Sequence, residues 1–286
     1  MTEKEAAALL PKRSDTGNKG DFGTLLSVCG SKRMTGAAFF AASAALRTGI
    51  GKLMLAAPES ALNILQTSLH EPVFAALPEK DGFLSSEAGE EILRLSENKS
   101  ALLIGCGLGN TEGVKSSVLT VLKNAKAPVV ADADALNVIR FEKAPFKKRG
   151  GYIITPHPLE FSRLTGMTPE EINADRLNIA ASYSREEGVI TVLKGAYTVV
   201  TAPDGKAAVA PFATSALSKG GSGDVLAGLI AGFAASGMEL FDAARLGVFV
   251  HGEAALLLEK KMPARSVLPS DLLNAVPDAV KYLEEL

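Results

Sequence analysis

Short apolar runs alternate with longer segments of helical periodicity along most of this chain. The runs are rich in Leu, Ile and Val and end at Gly, Asp or Pro, which is typical of buried parallel strands. We therefore predict an α/β fold with a central, mostly parallel sheet flanked by helices on both faces. The predicted strands are residues 24–29, 52–56, 101–104, 128–131, 152–155 and 189–193, and the predicted helices between them include residues 35–47, 111–124 and 169–187.

The pattern changes in the last third of the chain. Residues 197–201 and 207–210 read as antiparallel strands, and the turn 203–205 (Pro-Asp-Gly) joins them as a hairpin. No linker, low-complexity run or internal repeat divides the sequence, so we predict a single domain over residues 1–286. The predicted helices after the hairpin are residues 223–236, 240–259 and 269–286.

Composition favours a small-molecule partner. The chain is 47% hydrophobic with a formal net charge of −2 and scattered Lys and Arg, which argues against general binding to nucleic acid or to anionic membranes. The apolar stretch 225–238 is shorter than the roughly 18 residues that span a bilayer, so it reads as a buried helix. The charge order at residues 3–5 does not fit a secretory signal, and we expect a cytoplasmic protein. Cys29 and Cys106 lack metal-site spacing and are predicted to be reduced core thiols.

The strongest chemical signal is the stretch KGGSGD at residues 219–224, directly before the apolar helix. Glycines allow a tight turn that exposes backbone N–H groups at a helix start, where the helix dipole also favours an anion. The N–H groups of Gly221, Ser222 and Gly223 would form an anion hole, and Asp224 would orient or deprotonate a hydroxyl beside it. The alternative is an ordinary helix cap made by Ser222 or Asp224.

The position of Asp224 raises one objection to a base role. A carboxylate at a helix N-terminus is expected to have a lowered pKa, which makes it a weak base near neutrality. Phosphoryl transfer passes through a loose transition state, so positioning and charge neutralisation matter more than base strength.

A second glycine-rich stretch, IGCGLGN at residues 104–110, lies between a predicted strand and a helix, and Asp132 ends the next strand. This arrangement is close to a dinucleotide-binding fingerprint, so an NAD-dependent dehydrogenase is a rival interpretation. The glycine spacing weighs against the rival, because Asn110 stands where the third glycine belongs.

The stretch TPHPLE at residues 155–160 leaves a predicted strand through two prolines and then begins a helix. His157 is thereby held at the sheet edge, where it could contact a ligand. Glu160 could bind Mg²⁺ through water or could cap the helix, and the sequence does not separate the two. His70 and His251 fit structural or surface roles.

Two further segments are weaker signals. Lys194 and Thr198 flank a turn at Gly195, and their side chains could contact a nucleotide phosphate. Residues 36–38 open a helix with very small side chains, which permits either a close ligand or tight helix packing.

Together these motifs resemble the ADP/ATP-dependent NAD(P)H-hydrate dehydratases, a branch of the ribokinase-like superfamily. Their number and order span nearly the whole chain. One departure is Ser222, where the family is expected to carry Thr, and it keeps the hydroxyl. The matching motifs are residues 19–23, 34–38, 45–49, 105–109, 132–137, 155–160, 194–195 and 220–228.

The resemblance implies a lyase that repairs the S epimer of hydrated NADH or NADPH. It implies ADP or ATP as phosphate donor, Mg²⁺ bridging the phosphates, a homotetramer, and an epimerase on a separate chain. Asp224 would be the catalytic carboxylate beside the anion hole of Gly221, Ser222 and Gly223. By the same resemblance the substrate contacts are Ala37, Gly107, His157 and Asp224, and the nucleotide contacts are Lys194, Gly195, Ala196, Tyr197, Thr198 and Gly223.

Two alternatives remain besides the dehydrogenase. The same fold could serve a kinase of a vitamin-precursor alcohol of the hydroxymethylpyrimidine or hydroxyethylthiazole type, in which phosphate stays on the product. A catalytically silent nucleotide-binding regulator is the other, and the presence of Asp224 beside the glycines argues against it.

Overall fold

A nine-stranded sheet forms the centre of the molecule. The computed structural model describes residues 1–140, Glu142, Phe146 and 151–286. Within these residues the strand order is β11-β10-β9-β8-β7-β6-β1-β2-β3, and all neighbours from β9 to β3 pair in parallel. The strands are β1 Thr24–Val28, β2 Lys52–Pro58, β3 Val73–Leu77, β6 Ala101–Ile104, β7 Val129–Ala131, β8 Tyr152–Ile154, β9 Ile190–Leu193, β10 Val199–Thr201 and β11 Ala207–Val209, with β4 Glu79–Lys80 and β5 Phe83–Leu84 in a separate ribbon.

Helices cover both faces of this sheet, which confirms the predicted α/β class. Short 3₁₀ turns at Ser215–Leu217 and Ala264–Ser266 complete the late part of the chain. The α-helices are α1 Glu3–Leu9, α2 Thr35–Arg47, α3 Glu59–Leu65, α4 Ala88–Ser96, α5 Glu112–Asn124, α6 Asp134–Val138, α7 Pro158–Thr165, α8 Pro169–Ala174, α9 Arg176–Glu187, α10 Ser222–Ala235, α11 Leu240–Glu259 and α12 Pro269–Glu284.

The hydrophobic core lies in two layers, one on each side of the sheet. In β1, Leu25 points into the layer under α2, α10 and α11, whereas Leu26 and Val28 point into the layer under α4 and α5. A strand buried on both faces needs apolar residues at successive positions; β6 and β7 have them throughout, and β1 has them from Leu25 to Val28 except at the buried Ser27. This is why continuous apolar runs predicted these strands.

Helices α2 and α10 touch backbone to backbone. A Cβ added to Gly228 would lie 2.2 Å from the carbonyl oxygen of Ala41, and one added to Gly232 would lie 2.3 Å from Thr48 Oγ1. Glycine is therefore required at both positions. The small residues along α2 thus serve tight helix packing.

The late hairpin prediction is confirmed. Val199 pairs with Val209 across antiparallel strands β10 and β11, and β10 also pairs antiparallel with β9. Within the described ranges, none of the helices combines the length and apolar character needed to cross a lipid bilayer.

Two parts of the fold differ from the sequence prediction. The helix predicted over 169–187 breaks at Asp175, whose φ of −149° and ψ of 61° lie outside the helical region, and α8 and α9 result. Strand β3 was not predicted, because it is an edge strand with Val73 62% exposed and so lacks a continuous apolar run. Neither difference changes the fold class.

Candidate active site

The predicted chemical segments meet at one edge of the sheet. They follow the carboxyl ends of β1, β6, β7, β8 and β9, and the start of α10 lies beside them. In sheets of this kind ligands bind outside the carboxyl ends of the strands. The site is therefore where the fold class places it.

The start of α10 has the form of an anion hole. Gly221 is the N-cap with φ 101°, and a Cβ there would lie 2.9 Å from Phe40 and 3.0 Å from Pro269, so only glycine fits. Gly223 lies in the first turn, and a Cβ placed on it would be 3.4 Å from Lys194 Nζ. The ammonium group and the helix N-terminus thus combine to favour an anion at this point.

A cavity of about 320 Å³ opens beside this helix start. Its wall includes His157, Lys194, Gly195, Ser222 and Gly223, which the sequence singled out. The rest of the wall is largely apolar, so the cavity suits a ligand with a charged end and a flat or apolar body. The remaining lining residues are Pro158, Ala196, Thr198, Ala210, Phe212, Thr214, Leu217, Ser218, Leu226, Val248, His251 and Gly252.

Lys194 is held in an ion-pair network. Its Nζ lies 2.8 Å from Asp132 Oδ1 and 3.8 Å from Glu160 Oε2, and Thr155 Oγ1 donates to Asp132 Oδ1 at 2.6 Å. Burial alone would lower the pKa of Lys194, but the two carboxylates outweigh it and raise the pKa. Lys194 is therefore a fixed positive charge next to Gly223.

The same contacts argue against a dinucleotide-binding role for Asp132. Its side chain is 1% exposed and is already bonded to Lys194 and Thr155. It cannot also reach the ribose of a bound dinucleotide, which the dehydrogenase interpretation requires.

The expectation that the pKa of Asp224 is lowered was wrong. Burial, together with the nearby Asp132 carboxylate, raises the pKa of Asp224 to about 6. These two effects outweigh the hydrogen bond with Cys106 and the Lys194 charge, which lower the pKa. A pKa of about 6 suits a general base that works near neutral pH.

Cys106 lies between the two carboxylates. Ligand atoms of Cys106, Asp132 and Asp224 are all within 4.8 Å of one another, and Cys106 Sγ is 3.7 Å from Asp132 Oδ2. Cys29 and Cys106 are buried free thiols, as predicted. A hydrogen bond with Cys29 and burial raise the pKa of Cys106, so it stays protonated.

Ala37, in the first turn of α2, lies next to Gly107, in the loop after β6. A Cβ on Gly107, whose φ is 67°, would lie 2.7 Å from Ala37 Cβ. The loop is also tied to its neighbours, because Gly109 N donates to Asp134 Oδ2 at 2.8 Å and Gly30 N donates to the Cys106 carbonyl at 2.8 Å. Both residues lie outside the 320 Å³ cavity wall.

His157 and Glu160 form a capping box at the start of α7. Glu160 N donates to His157 Nδ1 at 3.2 Å, and His157 N donates to Glu160 Oε2 at 2.9 Å. Glu160 is buried, and burial raises its pKa. Of the two roles left open for Glu160, the helix cap is the one that these contacts support. The pKa of His157 is lowered by burial and by Lys194, which keeps the ring neutral near pH 7.

One residue that the sequence assigned to a structural or surface role, His251, lies in the wall of the cavity. His251 is buried on α11, lines the cavity, and its Nε2 lies 3.1 Å from Ser222 Oγ. Burial lowers the pKa of His251 to about 4, so it is neutral. Nothing in the sequence indicated a ligand contact at His251, because it lies in an apolar helical segment.

Tyr197, predicted as a nucleotide contact, is 56% exposed, and its backbone N–H donates to the Phe212 carbonyl at 2.7 Å.

Comparison with known proteins places the chain in a family. The pattern that defines the NAD(P)H-hydrate dehydratases matches residues 25–278. The chain is 35% identical to the ADP-dependent (S)-NAD(P)H-hydrate dehydratase of Bacillus subtilis, over 99% of this chain and 98% of that protein. It is 38% identical to the bifunctional NAD(P)H-hydrate repair enzyme of Moorella thermoacetica over 100% of this chain, but spans only 54% of that relative.

A solved structure agrees over the full length. The ADP/ATP-dependent NAD(P)H-hydrate dehydratase of Bacillus subtilis, co-crystallised with ATP and Mg²⁺, superposes with a TM-score of 0.88 at 33% identity, covering 99% of this chain and 98% of that one. The match confirms the predicted ribokinase-like fold and favours a dehydratase over the vitamin-precursor kinase. This chain belongs to the NAD(P)H-hydrate dehydratase family.

Proposed function

We propose that this protein dehydrates the S epimer of hydrated NADH or NADPH, using ADP or ATP as phosphate donor. The observation that carries the proposal is the juxtaposition of three features at the start of α10. These are the glycine-rich helix N-terminus, the Lys194 ammonium beside Gly223, and the Asp224 carboxylate with a pKa of about 6. Together they can hold a phosphoryl group and accept the proton of an attacking hydroxyl.

The proposed chemistry has two steps. Asp224 accepts the proton of the ring hydroxyl as its oxygen attacks the terminal phosphorus of the nucleotide, and the bond to the shortened nucleotide breaks. In the resulting phosphate ester the ring C–O bond then breaks and inorganic phosphate leaves with the former hydroxyl oxygen, while the neighbouring ring carbon gives up a proton to water and the ring double bond forms again. The products are NADH or NADPH, inorganic phosphate and the shortened nucleotide.

The ligand roles follow from where the residues lie. The nucleotide would take the cavity, with its phosphates against Lys194, Gly223 and residues 195–198 and its flat base among apolar residues such as Phe212. Tyr197 would contribute backbone only, since its ring is exposed. The hydrated ring would meet Asp224 on the side of Ala37 and Gly107, and His157, which lines the cavity, would lie where the two ligands meet.

Mg²⁺ fits the oxygen donors of the site. Asp224 offers carboxylate oxygens near the anion hole, and Mg²⁺ commonly binds one or two carboxylates, waters and nucleotide phosphates. When bound, Mg²⁺ neutralises phosphate charge. Asp132 is 1% exposed and is already bonded to Lys194 and Thr155. Cys106 is a soft donor that does not suit Mg²⁺, and Glu160 is occupied by the cap and by Lys194. The Bacillus subtilis protein co-crystallised with ATP and Mg²⁺ supports this cofactor.

Four further expectations belong to the same proposal. A single domain over residues 1–286 is supported by one continuous nine-stranded sheet among the described residues. A homotetramer follows the family resemblance. An epimerase on a separate chain also follows the family resemblance. A cytoplasmic location agrees with the two free thiols and with nicotinamide nucleotides as substrates.

The direct test is turnover of hydrated NADH. Purified protein is incubated with hydrated NADH, Mg²⁺ and either ADP or ATP, and NADH absorbance and free phosphate are followed together. We expect NADH and phosphate in equal amounts with at least one donor. Absence of NADH with both donors would contradict the proposal. A stable phosphorylated alcohol formed from an added vitamin precursor would instead favour the kinase.

A further inference from the structure

Arg176 stands where the predicted helix 169–187 breaks. Asp175 leaves the helical conformation, and its carboxylate accepts from Asn178 N at 3.4 Å and from Asn178 Nδ2 at 2.9 Å. Arg176 is consequently the first residue of α9 and lies beside the loop that follows β9. A local departure from the sequence pattern of this kind is often found next to a functional site.

The guanidinium of Arg176 donates hydrogen bonds to the backbone of that loop. Nη2 donates to the Leu193 carbonyl at 2.7 Å, and Nη1 donates to the Ala196 carbonyl at 2.5 Å. The two acceptors flank Lys194 and Gly195, so both ends of this part of the loop are fixed by one rigid, planar group.

Gly195 packs directly on this guanidinium. A Cβ on Gly195 would lie between 2.9 and 3.1 Å from the Nη1, Nη2 and Cζ atoms of Arg176, and its φ of 149° also favours glycine. The loop and the arginine therefore fit together only when residue 195 has no side chain. Lys194, on the other side of the loop, faces Gly223 and Asp132.

The arginine is a costly choice for stability alone. Its Nε is buried and has no hydrogen-bond partner among the described residues, and burial lowers the pKa of the group. We propose that Arg176 is a positioning residue for the nucleotide: by holding residues 193–196 it keeps Lys194 at the start of α10 and shapes the loop that receives the phosphates. This inference rests on the proposed nucleotide role of that loop.

The test compares Arg176→Met and Arg176→Lys with Arg185→Met, a control at an exposed position in the last turn of the same helix. ATP affinity is measured by calorimetry with Mg²⁺ and without hydrated substrate, and KM values for both substrates are measured separately. We expect ATP affinity to fall about tenfold or more in R176M and less in R176K, which keeps the charge and one donor. The KM for hydrated NADH should change less than about twofold, because hydrogen bonds to it are not lost.

A second comparison uses Gly195→Ala, which pushes the loop off the guanidinium. If the two residues act as one unit, the R176M/G195A double variant should lose less ATP affinity than the sum of the single losses. Full additivity would contradict a shared role.

The outcomes separate this inference from the proposed function. A folded R176M variant that binds ATP as the wild type does overturns the inference, and so does a lowered melting temperature with unchanged ATP affinity. If R176M does not fold, R176K decides by the same readouts. Wild-type protein that binds ATP but regenerates no NADH contradicts the proposed function alone, whereas wild-type protein that binds no nucleotide contradicts both.

Discussion

Two glycine-rich segments of this chain look alike in sequence and differ in structure. The first glycine segment, residues 105–109, is packed closely against protein. A Cβ on Gly105 would lie 1.9 Å from the Asp132 carbonyl oxygen, and one on Gly109 would lie 2.6 Å from the Phe83 ring. The second glycine segment, residues 220–223, is open at one end: a Cβ on Gly220 would meet nothing within 4 Å, whereas one on Gly221 would lie 2.9 Å from the Phe40 ring.

The contrast shows how far a glycine pattern can be interpreted. In the first segment the missing side chains let two loops and a helix approach one another. In the second they leave room at the start of a 14-residue helix with a lysine beside it. Glycine spacing alone favours a phosphate site in both, and the open space at Gly220 and the Lys194 ammonium beside Gly223 distinguish the second.

The strongest loss is expected at the open segment. Asp224→Asn should reduce turnover of hydrated NADH by about 10²- to 10⁴-fold, because the amide cannot accept the hydroxyl proton. Single-turnover kinetics and a denaturation curve would be recorded on the same preparation. Undiminished turnover would show that Asp224 is not the base, and it would contradict the proposal that Asp224 and residues 220–223 act together in catalysis.

A matched pair of glycine substitutions tests the difference in packing. Gly105→Ala should destabilise the fold by about 3 kcal/mol or more, because its φ of 135° is strained for alanine and the Cβ meets backbone. Gly220→Ala should change stability by less than about 1 kcal/mol. Urea denaturation measures both. Equal effects would mean that the two segments do not differ in packing as described.

The mildest effect is a pH dependence. With the pKa of Asp224 at about 6, turnover should fall as the pH drops through 6, because the protonated carboxyl is no longer a base. The folded state also binds this proton more tightly than the unfolded chain does, so the group's contribution to stability falls as the pH rises from about 4 to 7. D224N should therefore melt higher than the wild type at pH 7, with a smaller difference near pH 4. A rate that stays level down to pH 4 would contradict the raised pKa.

Much of the fold could be predicted because its central strands are buried on both faces. Continuous apolar runs marked β1, β6, β7, β8 and β9, and the loops after them carried the chemistry. Strand β3 was not predicted because its edge position leaves Val73 exposed. The break at Asp175 was not predicted because contacts from Arg176 to a distant loop accompany it. Such contacts between distant segments leave no local pattern.

The site was predicted less completely for the same reason. The glycines, Lys194 and Asp224 stand in recognisable stretches, whereas His251 lies in a largely apolar helix and gave no signal. The raised pKa of Asp224 depends on burial and on Asp132, which is 92 positions away in the sequence and near Asp224 only in the fold. A local rule about helix starts could not include that neighbour.

The contact between Gly228 of α10 and the Ala41 carbonyl of α2 has a mechanical consequence. Two helices in backbone contact cannot slide past each other without a clash. The start of α10 and the start of α2, which carries Ala37, are therefore expected to behave as one rigid unit. Because Arg176 also holds residues 193–196, any movement that closes the site around an arriving nucleotide is expected in the chain around residues 210–218. Spectroscopic probes of motion belong there.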